Sequence, residues 1–185
     1  MFARTPRLTL RPAWPEDAPL LATALADERV VRMLARVPHP YTLADAERWV
    51  AQPRGGHEPR FVIAAHDAAY RQGEPRLIGG IGISEYEGGL NLGYWLAPDA
   101  WGRGYATEAG RAVIEMARHA LPIDRLRAWH FADNPASGRV LRKLGFRPTG
   151  TIAPRPSLAR SESAPSVEYT LDLTKEDRAP LPIAA

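Results

Sequence analysis

The feature that most constrains this chain is a short glycine loop that stands directly between a strand pattern and a long helix pattern. The loop runs from Trp101 to Thr107 and contains Gly102 and Gly104, and an amphipathic helix is predicted from there to Leu121. Backbone amides at a helix N-terminus have no partner inside the helix and carry the positive end of its dipole, so they bind phosphate groups. Glycines let the backbone approach such an anion closely. The loop therefore predicts a phosphate-binding turn, with a tight turn that binds no ligand as the alternative.

Two other kinds of phosphate-binding loop can be tested against the same residues. A Walker loop ends in Gly-Lys-Ser or Gly-Lys-Thr, and this loop does not. A dinucleotide fingerprint has a third glycine where Thr107 stands, and an acidic residue about 20 residues later at the end of the next strand. Asp133 is the nearest acid of that kind, but it lies too far along the chain and precedes a helix cap. A nucleotide-dependent oxidoreductase is therefore disfavoured.

The composition bounds the remaining classes of function. The chain has 185 residues, which is enough for one packed domain. It has no cysteine, which excludes disulfides, a thiolate nucleophile and Cys-ligated metal and is compatible with a cytoplasmic location. No apolar run approaches the roughly 18 residues of a membrane span, and residues 1–11 have no signal-peptide pattern. The net charge of +3 favours a small anionic ligand over nucleic acid.

Strand and helix patterns follow one another in an order typical of a mixed α/β domain. Helices are predicted after Pro15, over residues 30–34, from a capping box at Thr42, and from an N-cap at Asn134 to Gly145. The long helix after the loop has Glu108 on its solvated side. Strands are predicted at residues 8–11, 61–65, 77–83, 90–96, 126–131, from 146 onward and at 167–173. Loops are predicted at Gly55 to His57 and as a hairpin turn at Gly88-Gly89.

Several ordered segments resemble the two signature segments of a known family. They are Gly93-Tyr94-Trp95-Leu96 with Pro98, the loop from Trp101 continued through Ala109, Asn134-Pro135-Ala136-Ser137, and Leu141 through Phe146. Together they resemble the GNAT N-acetyltransferases, and most closely the RimJ/RimL-like branch of ribosomal-protein N-terminal acetyltransferases. The strong part of the resemblance covers residues 78–150. The opening at residues 8–12, followed by two acids, is also similar to that branch.

The resemblance implies an α/β (α+β) fold. It implies a single GNAT domain over residues 1–173, with a mixed central sheet of about six to seven strands flanked by helices, and a flexible tail over residues 174–185. The implied activity is direct transfer of an acetyl group from acetyl-CoA to a primary amine, which is a protein N-terminus or a small amine. A non-catalytic acyl-CoA-binding module is the alternative. The expected partners are acetyl-CoA and the amine acceptor, with a homodimer left open and with neither nucleic acid, membrane nor metal involved.

The resemblance also implies where coenzyme A binds. The loop amides would bind the pyrophosphate, and the strand before the loop would splay from the next strand and pair with the pantetheine arm. Asn134 would lie near that arm, and Ser137 near the sulfur. The predicted cofactor-binding residues are Trp95, Leu96, Ala97, Gly102, Arg103, Gly104, Tyr105, Ala106, Thr107 and Asn134.

One departure from the family concerns the acid that protonates the leaving thiolate. Many relatives carry a tyrosine seven residues after the asparagine, and Leu141 stands there in this chain. Ser137 or a water molecule must then substitute, unless no acid is needed. A serine in the first turn of a helix also has a purely structural interpretation.

The base that takes the proton of the amine is the least defined part of the predicted site. Glu85, Glu87 and His130 are the candidates, although acids in a turn are often only solvated and a single strand histidine is often structural. Asn91 stands at a strand position where relatives often carry an acid. We therefore expect deprotonation relayed by water, with Glu85 as the first choice of terminal acceptor and His130 as the second. The five histidines have no metal-ligand spacing, so no catalytic metal is expected.

Overall fold

The computed structural model describes residues 2–53, 58–67 and 75–174. Within these ranges the strands are β1 (Ala3–Arg4), β2 (Leu8–Arg11), β3 (Arg60–Ala65), β4 (Arg76–Tyr86), β5 (Gly89–Leu96), β6 (Arg125–Phe131), β7 (Arg147–Arg155) and β8 (Ala164–Asp172). The α-helices are α1 (Ala18–Leu25), α2 (Glu28–Val31), α3 (Leu43–Ala51), α4 (Tyr105–Ala120) and α5 (Pro135–Lys143). The loop predicted at residues 55–57 and the tail beyond residue 174 lie outside the described residues.

All of these strands belong to one sheet, in the order β1-β2-β3-β4-β5-β6-β8-β7. Neighbouring strands are antiparallel except β5 and β6, which are parallel. A parallel pair needs a long crossover connection, and α4 supplies it. The sheet has eight strands, one more than the upper end of the predicted range, because β1 is a two-residue edge strand and is too short to give a sequence pattern.

Helices cover the two faces of the sheet with separate hydrophobic clusters. One cluster joins α4 and α5 to the sheet, and the other joins α1 and α3 to it. Adjacent residues of β3 show the alternation, since Ile63 belongs to the first cluster and Val62 to the second. The chain therefore forms a single α/β domain in which α4 and α5 lie on the opposite face from α1 and α3.

Local sequence signals account for most helix ends. Thr42 and Asp45 form the predicted capping box, and Gly145 ends α5 with a φ of 89°. The second helix begins and ends earlier than predicted, because Asp27 caps it by accepting from the amide of Arg29. None of the helices in the described part of the chain has both the length and the apolar character needed to cross a bilayer.

The hairpin between β4 and β5 turns one residue earlier than predicted. Tyr86 pairs with Gly89, so Glu87 and Gly88 are the two residues of the turn. Both have positive φ angles, 50° and 69°, as the tightest hairpin turns require. Gly89 is therefore the first residue of β5 and not part of the turn.

Candidate functional site

The two parallel strands at the centre of the sheet separate after a single point of contact. Within the described residues, Asn91 of β5 and Arg127 of β6 are the one pair in register between these strands. By contrast, β4 and β5 stay paired from Tyr86–Gly89 to Gly79–Leu96. Towards their C-terminal ends β5 and β6 therefore diverge and form a wedge, which confirms the splay predicted for this strand. The edge of β5 inside the wedge can pair with an extended ligand.

Glycines of β4 bring it close to β5 beside the open end of the wedge. A Cβ at Gly79 would lie 2.2 Å from the carbonyl oxygen of Trp95, and one at Gly80 would lie 2.7 Å from its Nε1. The ring of Trp95 packs in the cluster with α1 and α3, whereas Leu96 packs in the cluster with α4 and α5. The amide of Ala97 continues the hairpin by donating to a carbonyl of β4 at 2.8 Å. Trp95 and Leu96 therefore use their side chains for packing and offer a ligand mainly their backbone.

The glycine loop lies at the open end of the wedge. Trp101 ties it there, since its Nε1 donates to the carbonyl oxygen of Leu96 at 2.8 Å. Gly102 and Gly104 have φ angles of 75° and 81°, in the left-handed region that favours glycine. No heavy atom of the described chain lies within 4 Å of where a Cβ of Gly102 would be. This open turn leads directly into the N-terminus of α4, where unpaired amides can bind an anion.

The residues of the loop differ in what they can offer a ligand. Arg103 is exposed, as are the two glycines beside it. Tyr105, Ala106 and Thr107 begin α4 with their side chains buried. These three residues can therefore contact a ligand through their backbone amides, as the sequence predicted for a helix N-terminus.

The loop is braced by Glu108, which the sequence pattern placed on the solvated side of α4. The hydroxyl of Thr5 donates to Glu108 Oε1 at 2.6 Å, the amide of Arg7 donates to the same oxygen at 3.0 Å, and Arg7 Nε donates to Oε2 at 2.7 Å. Arg7 Nη1 also donates to the carbonyl oxygen of Arg103 at 3.0 Å. Burial opposes the charge of Glu108, but these hydrogen bonds outweigh it and hold the pKa of this carboxyl below its usual value. The brace joins residues about 100 positions apart, so no local sequence signal reveals it.

The N-terminus of α5 faces β5 across the wedge. Asn134 caps the helix as predicted, because its Oδ1 accepts from the amide of Ser137 at 3.2 Å. The Oγ of Ser137 lies 2.7 Å from the hydroxyl of Tyr94 on β5. Tyr94 is not among the predicted site residues. Alternation along β5 places it on the side of α5, but a partner 43 residues further on leaves no sequence signal.

His130 lies beneath α5 and is 8% exposed. Its Nδ1 lies 2.8 Å from the carbonyl oxygen of Phe131, and its Nε2 lies 3.4 Å from the hydroxyl of Tyr169. A carbonyl oxygen can only accept, so Nδ1 carries the proton in the neutral ring. A Cβ at Gly138 would lie 2.6 Å from Nε2, which shows how closely the helix covers the ring. Both ring nitrogens have structural partners, and the role of His130 as a base stays a prediction.

Glu85 lies on the closed side of the wedge. It pairs with Leu90, whereas Tyr94 pairs with Ile81. Glu85 is therefore about 13 Å of extended strand from the level of Tyr94, at roughly 3.3 Å per residue. The structure does not bring Glu85 together with Ser137, and its role as the terminal proton acceptor stays a prediction.

Glu87 is engaged in an ion pair beside the hairpin turn. Its carboxylate lies 2.5 Å from Nη1 of Arg155, whose Nη2 lies 2.5 Å from Glu168. The guanidinium of Arg155 also lies over the rings of Tyr86 and Trp129, at 5.3 and 4.9 Å from their centroids. This arrangement favours the structural interpretation of Glu87 over a role as a base.

Leu141 belongs to the hydrophobic core. It is 1% exposed and packs in the cluster that joins α4 and α5 to the sheet. A side chain at this position points into the core and not into the open end of the wedge. Leu141, where the resemblance implies a tyrosine in many relatives, is therefore a core residue in this chain.

The face of β6 opposite α5 carries aromatic rings. Trp129 and Phe131 alternate with His130, so they point away from α5, and their rings meet edge to face at 5.2 Å. Arg160 lies 4.4 Å over the ring of Phe131 and forms a two-point ion pair with Asp133 at 2.9 and 3.0 Å. The hydrogen bond from Arg160 holds the pKa of Asp133 below its usual value, so Asp133 is a weak base.

Comparisons with known proteins agree with this geometry. Residues 7–147 match the family model for the acetyltransferase (GNAT) domain. The chain belongs to the GNAT acetyltransferase family. Over 156 residues this GNAT chain is 28% identical to the uncharacterized N-acetyltransferase YoaA of Bacillus subtilis (strain 168), and the match covers 80% of this chain and 84% of that protein. The family and this relative place it among the N-acetyltransferases.

Solved structures share the fold of this GNAT acetyltransferase. A GNAT-family acetyltransferase from Bacillus anthracis superposes with a TM-score of 0.78 at 22% identity, covering 95% of this chain and 100% of that one. RimL, a ribosomal-protein alpha-N-acetyltransferase in complex with Coenzyme A, superposes with a TM-score of 0.75 at 17% identity, covering 93% and 98%. The similarity to RimL shows that the two chains share one fold.

Proposed function

We propose that this GNAT acetyltransferase moves an acetyl group from acetyl-CoA to a primary amine, either a protein N-terminus or a small amine, by direct transfer. The observation that carries the proposal is the wedge between β5 and β6, whose open end meets the glycine loop. An extended pantetheine arm can pair with the edge of β5 while the pyrophosphate meets the loop amides. Coenzyme A is bound in the similarly folded RimL, which supports this choice of ligand.

In the proposed site, some residues contact the pantetheine arm, others bind the pyrophosphate, and Arg7 supports the loop. Within residues 95–97 the amide of Ala97 already donates to β4, so the backbone groups that face the wedge pair with the pantetheine arm. Asn134 contacts the same arm while it caps α5. The amides of residues 102–107 bind the pyrophosphate. Arg7, which donates to the loop carbonyl of Arg103, keeps the loop in its open form.

The reaction that this arrangement supports is nucleophilic substitution at the thioester. The amine nitrogen attacks the carbonyl carbon, a carbon–nitrogen bond forms, and the carbon–sulfur bond breaks. Ser137 donates a hydrogen bond to the sulfur as it leaves with its electron pair. The proton lost by the amine passes to water and finally reaches the sulfur, so the products are the amide and free coenzyme A. A thiol has a pKa of about 8.5, which makes it a fair leaving group without a stronger acid.

The acceptor reaches the thioester from the face that carries Trp129 and Phe131, because α4 and α5 cover the other face. An open groove lies between α2 and the loop before β8, and Arg160 of its lining also lies over the ring of Phe131. Its lining includes ionisable side chains of both signs: Glu28, Arg32, Arg160 and Glu162. A polar lining of this kind suits a charged amine or the start of a peptide.

Binding and turnover test the proposal separately. Titration calorimetry should show that acetyl-CoA binds and that NAD does not. Release of free coenzyme A should then be followed across a panel of peptides and small amines. Failure of acetyl-CoA to bind, or binding of NAD in its place, would overturn the assignment of the wedge.

A non-catalytic acyl-CoA-binding module is the second candidate. The burial of Leu141 in the core favours it, because no tyrosine acid reaches the wedge from that position. A module of this kind would bind acetyl-CoA with the same affinity but would release no coenzyme A with any acceptor of the panel.

A cytoplasmic location belongs to the main proposal, in keeping with the absence of cysteine.

A further inference from the structure

A hydrogen bond joins the two elements that border the wedge, and it ends on the serine that faces the leaving sulfur. The hydroxyl of Tyr94 on β5 lies 2.7 Å from Oγ of Ser137 on α5 and 3.1 Å from the carbonyl oxygen of the same serine. We propose that Tyr94 is a positioning residue whose hydroxyl donates to Ser137 Oγ and thereby turns the single proton of Ser137 toward the leaving sulfur. This inference rests on the proposed function.

Both partners of this hydrogen bond are held in place by other contacts. The ring of Tyr94 packs against the hydrophobic cluster of α4 and α5. The amide of Ser137 is bound by Asn134 Oδ1 in the cap of α5. The neighbouring Gly93 is exposed, and no heavy atom of the described chain lies within 4 Å of where its Cβ would be. The two hydroxyls thus meet at a fixed point beside an open stretch of β5.

Distance and acidity favour one direction for this hydrogen bond. The Tyr94 proton can also reach the carbonyl oxygen of Ser137, but that contact is longer, at 3.1 Å against 2.7 Å to Oγ. Each hydroxyl has one proton and two lone pairs. A phenol is more acidic than an alkyl hydroxyl, so in a mixed pair the tyrosine is the better donor. When Tyr94 donates to Oγ, the proton of Ser137 is free to point into the wedge. A hydroxyl that accepts one hydrogen bond also donates a stronger one, so Tyr94 strengthens the bond from Ser137 to a developing thiolate.

The surroundings keep Tyr94 in its donating form. Burial raises the pKa of Tyr94 to about 12, so the phenol stays protonated at neutral pH. Tyr169 is the nearby ionisable group that also disfavours its charge. Beneath α5, His130 and Arg142 both contact the hydroxyl of Tyr169, not the Tyr94–Ser137 pair.

If Tyr94 has a purely structural role and only ties β5 to α5, removing its hydroxyl should leave the pKa of the bound coenzyme A thiol unchanged. The test compares the parent with Tyr94→Phe, Ser137→Ala and the double variant. Tyr94→Phe keeps the packed ring and removes the hydroxyl. Tyr169→Phe is the matched control, because it removes a hydroxyl that also contacts the underside of α5 but does not touch Ser137.

The first measurement is the pKa of the thiol of bound coenzyme A, followed by the ultraviolet absorbance of the thiolate, and it needs no acceptor. A hydroxyl that stabilises the thiolate lowers this pKa, so Tyr94→Phe should raise it by about 0.5 to 1. Ser137→Ala should raise it at least as much, and the double variant no more than Ser137→Ala alone. The control Tyr169→Phe should leave it unchanged.

The second measurement is turnover with the best acceptor. Tyr94→Phe should lower kcat about three- to tenfold while KM for acetyl-CoA stays within about twofold. Two results would overturn the inference and leave the proposed function intact. One is a double variant whose loss of kcat equals the product of the two single losses. The other is a bound thiol whose pKa does not change in Tyr94→Phe. Absence of coenzyme A binding in the parent would overturn both.

Discussion

Single residues set the conformation of the glycine loop. Gly102 and Gly104 occupy the left-handed region of backbone angles, where a side chain is strained and a β-branched one most of all. The nearest side-chain atom to a Cβ at Gly104 is Arg7 Nη2, at 3.6 Å. The loop thus combines left-handed backbone angles with open space on its outer side. Replacing one of its glycines by a residue with a side chain removes both properties.

Gly104→Val should weaken acetyl-CoA binding by at least about tenfold, which corresponds to about 1.4 kcal/mol. The side chain strains the turn and occupies the space through which the pyrophosphate approaches. Titration calorimetry on the folded variant measures the effect. Gly150→Val is the matched control, since Gly150 has a φ of 87° with open space around it but lies in β7. Equal affinities for Gly104→Val and the parent would remove the loop from the binding site.

Leu141 stands where the resemblance implies a tyrosine in many relatives, and its burial limits which side chains can replace it. Its side chain is 1% exposed among core residues, so a tyrosine there adds volume to a packed interior. Leu141→Tyr should lower the free energy of unfolding by about 1–3 kcal/mol and should not speed the reaction. Urea unfolding checks the first expectation. Leu158→Tyr, at a position that is 64% exposed, should stay within about 0.5 kcal/mol of the parent.

At the scale of elements, the N-terminal strands and α4 are joined by the Glu108 brace. Thr5 and Arg7 satisfy both carboxylate oxygens of Glu108, and Arg7 reaches on to the loop carbonyl of Arg103. The brace therefore links the stability of the fold to the shape of the phosphate loop. A carboxyl whose pKa is lowered by folding stabilises the protein above its unfolded pKa and loses that contribution as the pH falls through its folded pKa.

Glu108→Gln should lower the free energy of unfolding by about 1–3 kcal/mol near neutral pH, because buried hydrogen bonds to a charged group are lost. The difference from the parent should shrink as the pH falls below the ordinary glutamate pKa of about 4.3 and towards the lower folded pKa, because the parent carboxyl then becomes protonated as well. Urea unfolding at several pH values measures both effects. Glu115→Gln, on the same helix and exposed, is the control. A difference that stays constant down to about pH 3 would contradict the lowered pKa.

At the scale of the whole molecule, the predicted bases lie away from the open end of the wedge, where the reaction is proposed to occur. Glu85 lies beyond its closed end, Glu87 is paired with Arg155, and His130 lies beneath α5. None of these groups, among the described residues, stands free in the open part of the wedge. This layout supports the proposal that the amine loses its proton to water.

The pH dependence of kcat/KM tests that conclusion. We expect its acid limb to move with the acceptor, from about pH 8 for a peptide N-terminus to about pH 10 for an alkyl amine. Glu85→Gln should keep the limb of the parent, and so should His130→Asn, which retains a donor near the position of Nδ1. Loss of the limb in Glu85→Gln would instead identify Glu85 as the terminal proton acceptor, as the sequence predicts.

The sequence by itself determined the features that depend on near neighbours in the chain. The capping box at Thr42, the cap at Asn134 and the glycine loop before α4 each involve contacts within a few residues, so their patterns are visible in the sequence. The order of strands and helices and the family segments followed from the same local signals. These features were enough to predict the α/β domain and the glycine turn that leads into α4.

Only the tertiary structure decided which distant residues meet. The hydrogen bond between Tyr94 and Ser137 spans 43 residues, and the brace from Arg7 to Glu108 spans 101. The separation of Glu85 from the open end of the wedge depends on the register of β4 and β5. Such contacts arise from strand register and from the face on which a helix packs, and neither leaves a mark within the few residues over which local patterns act.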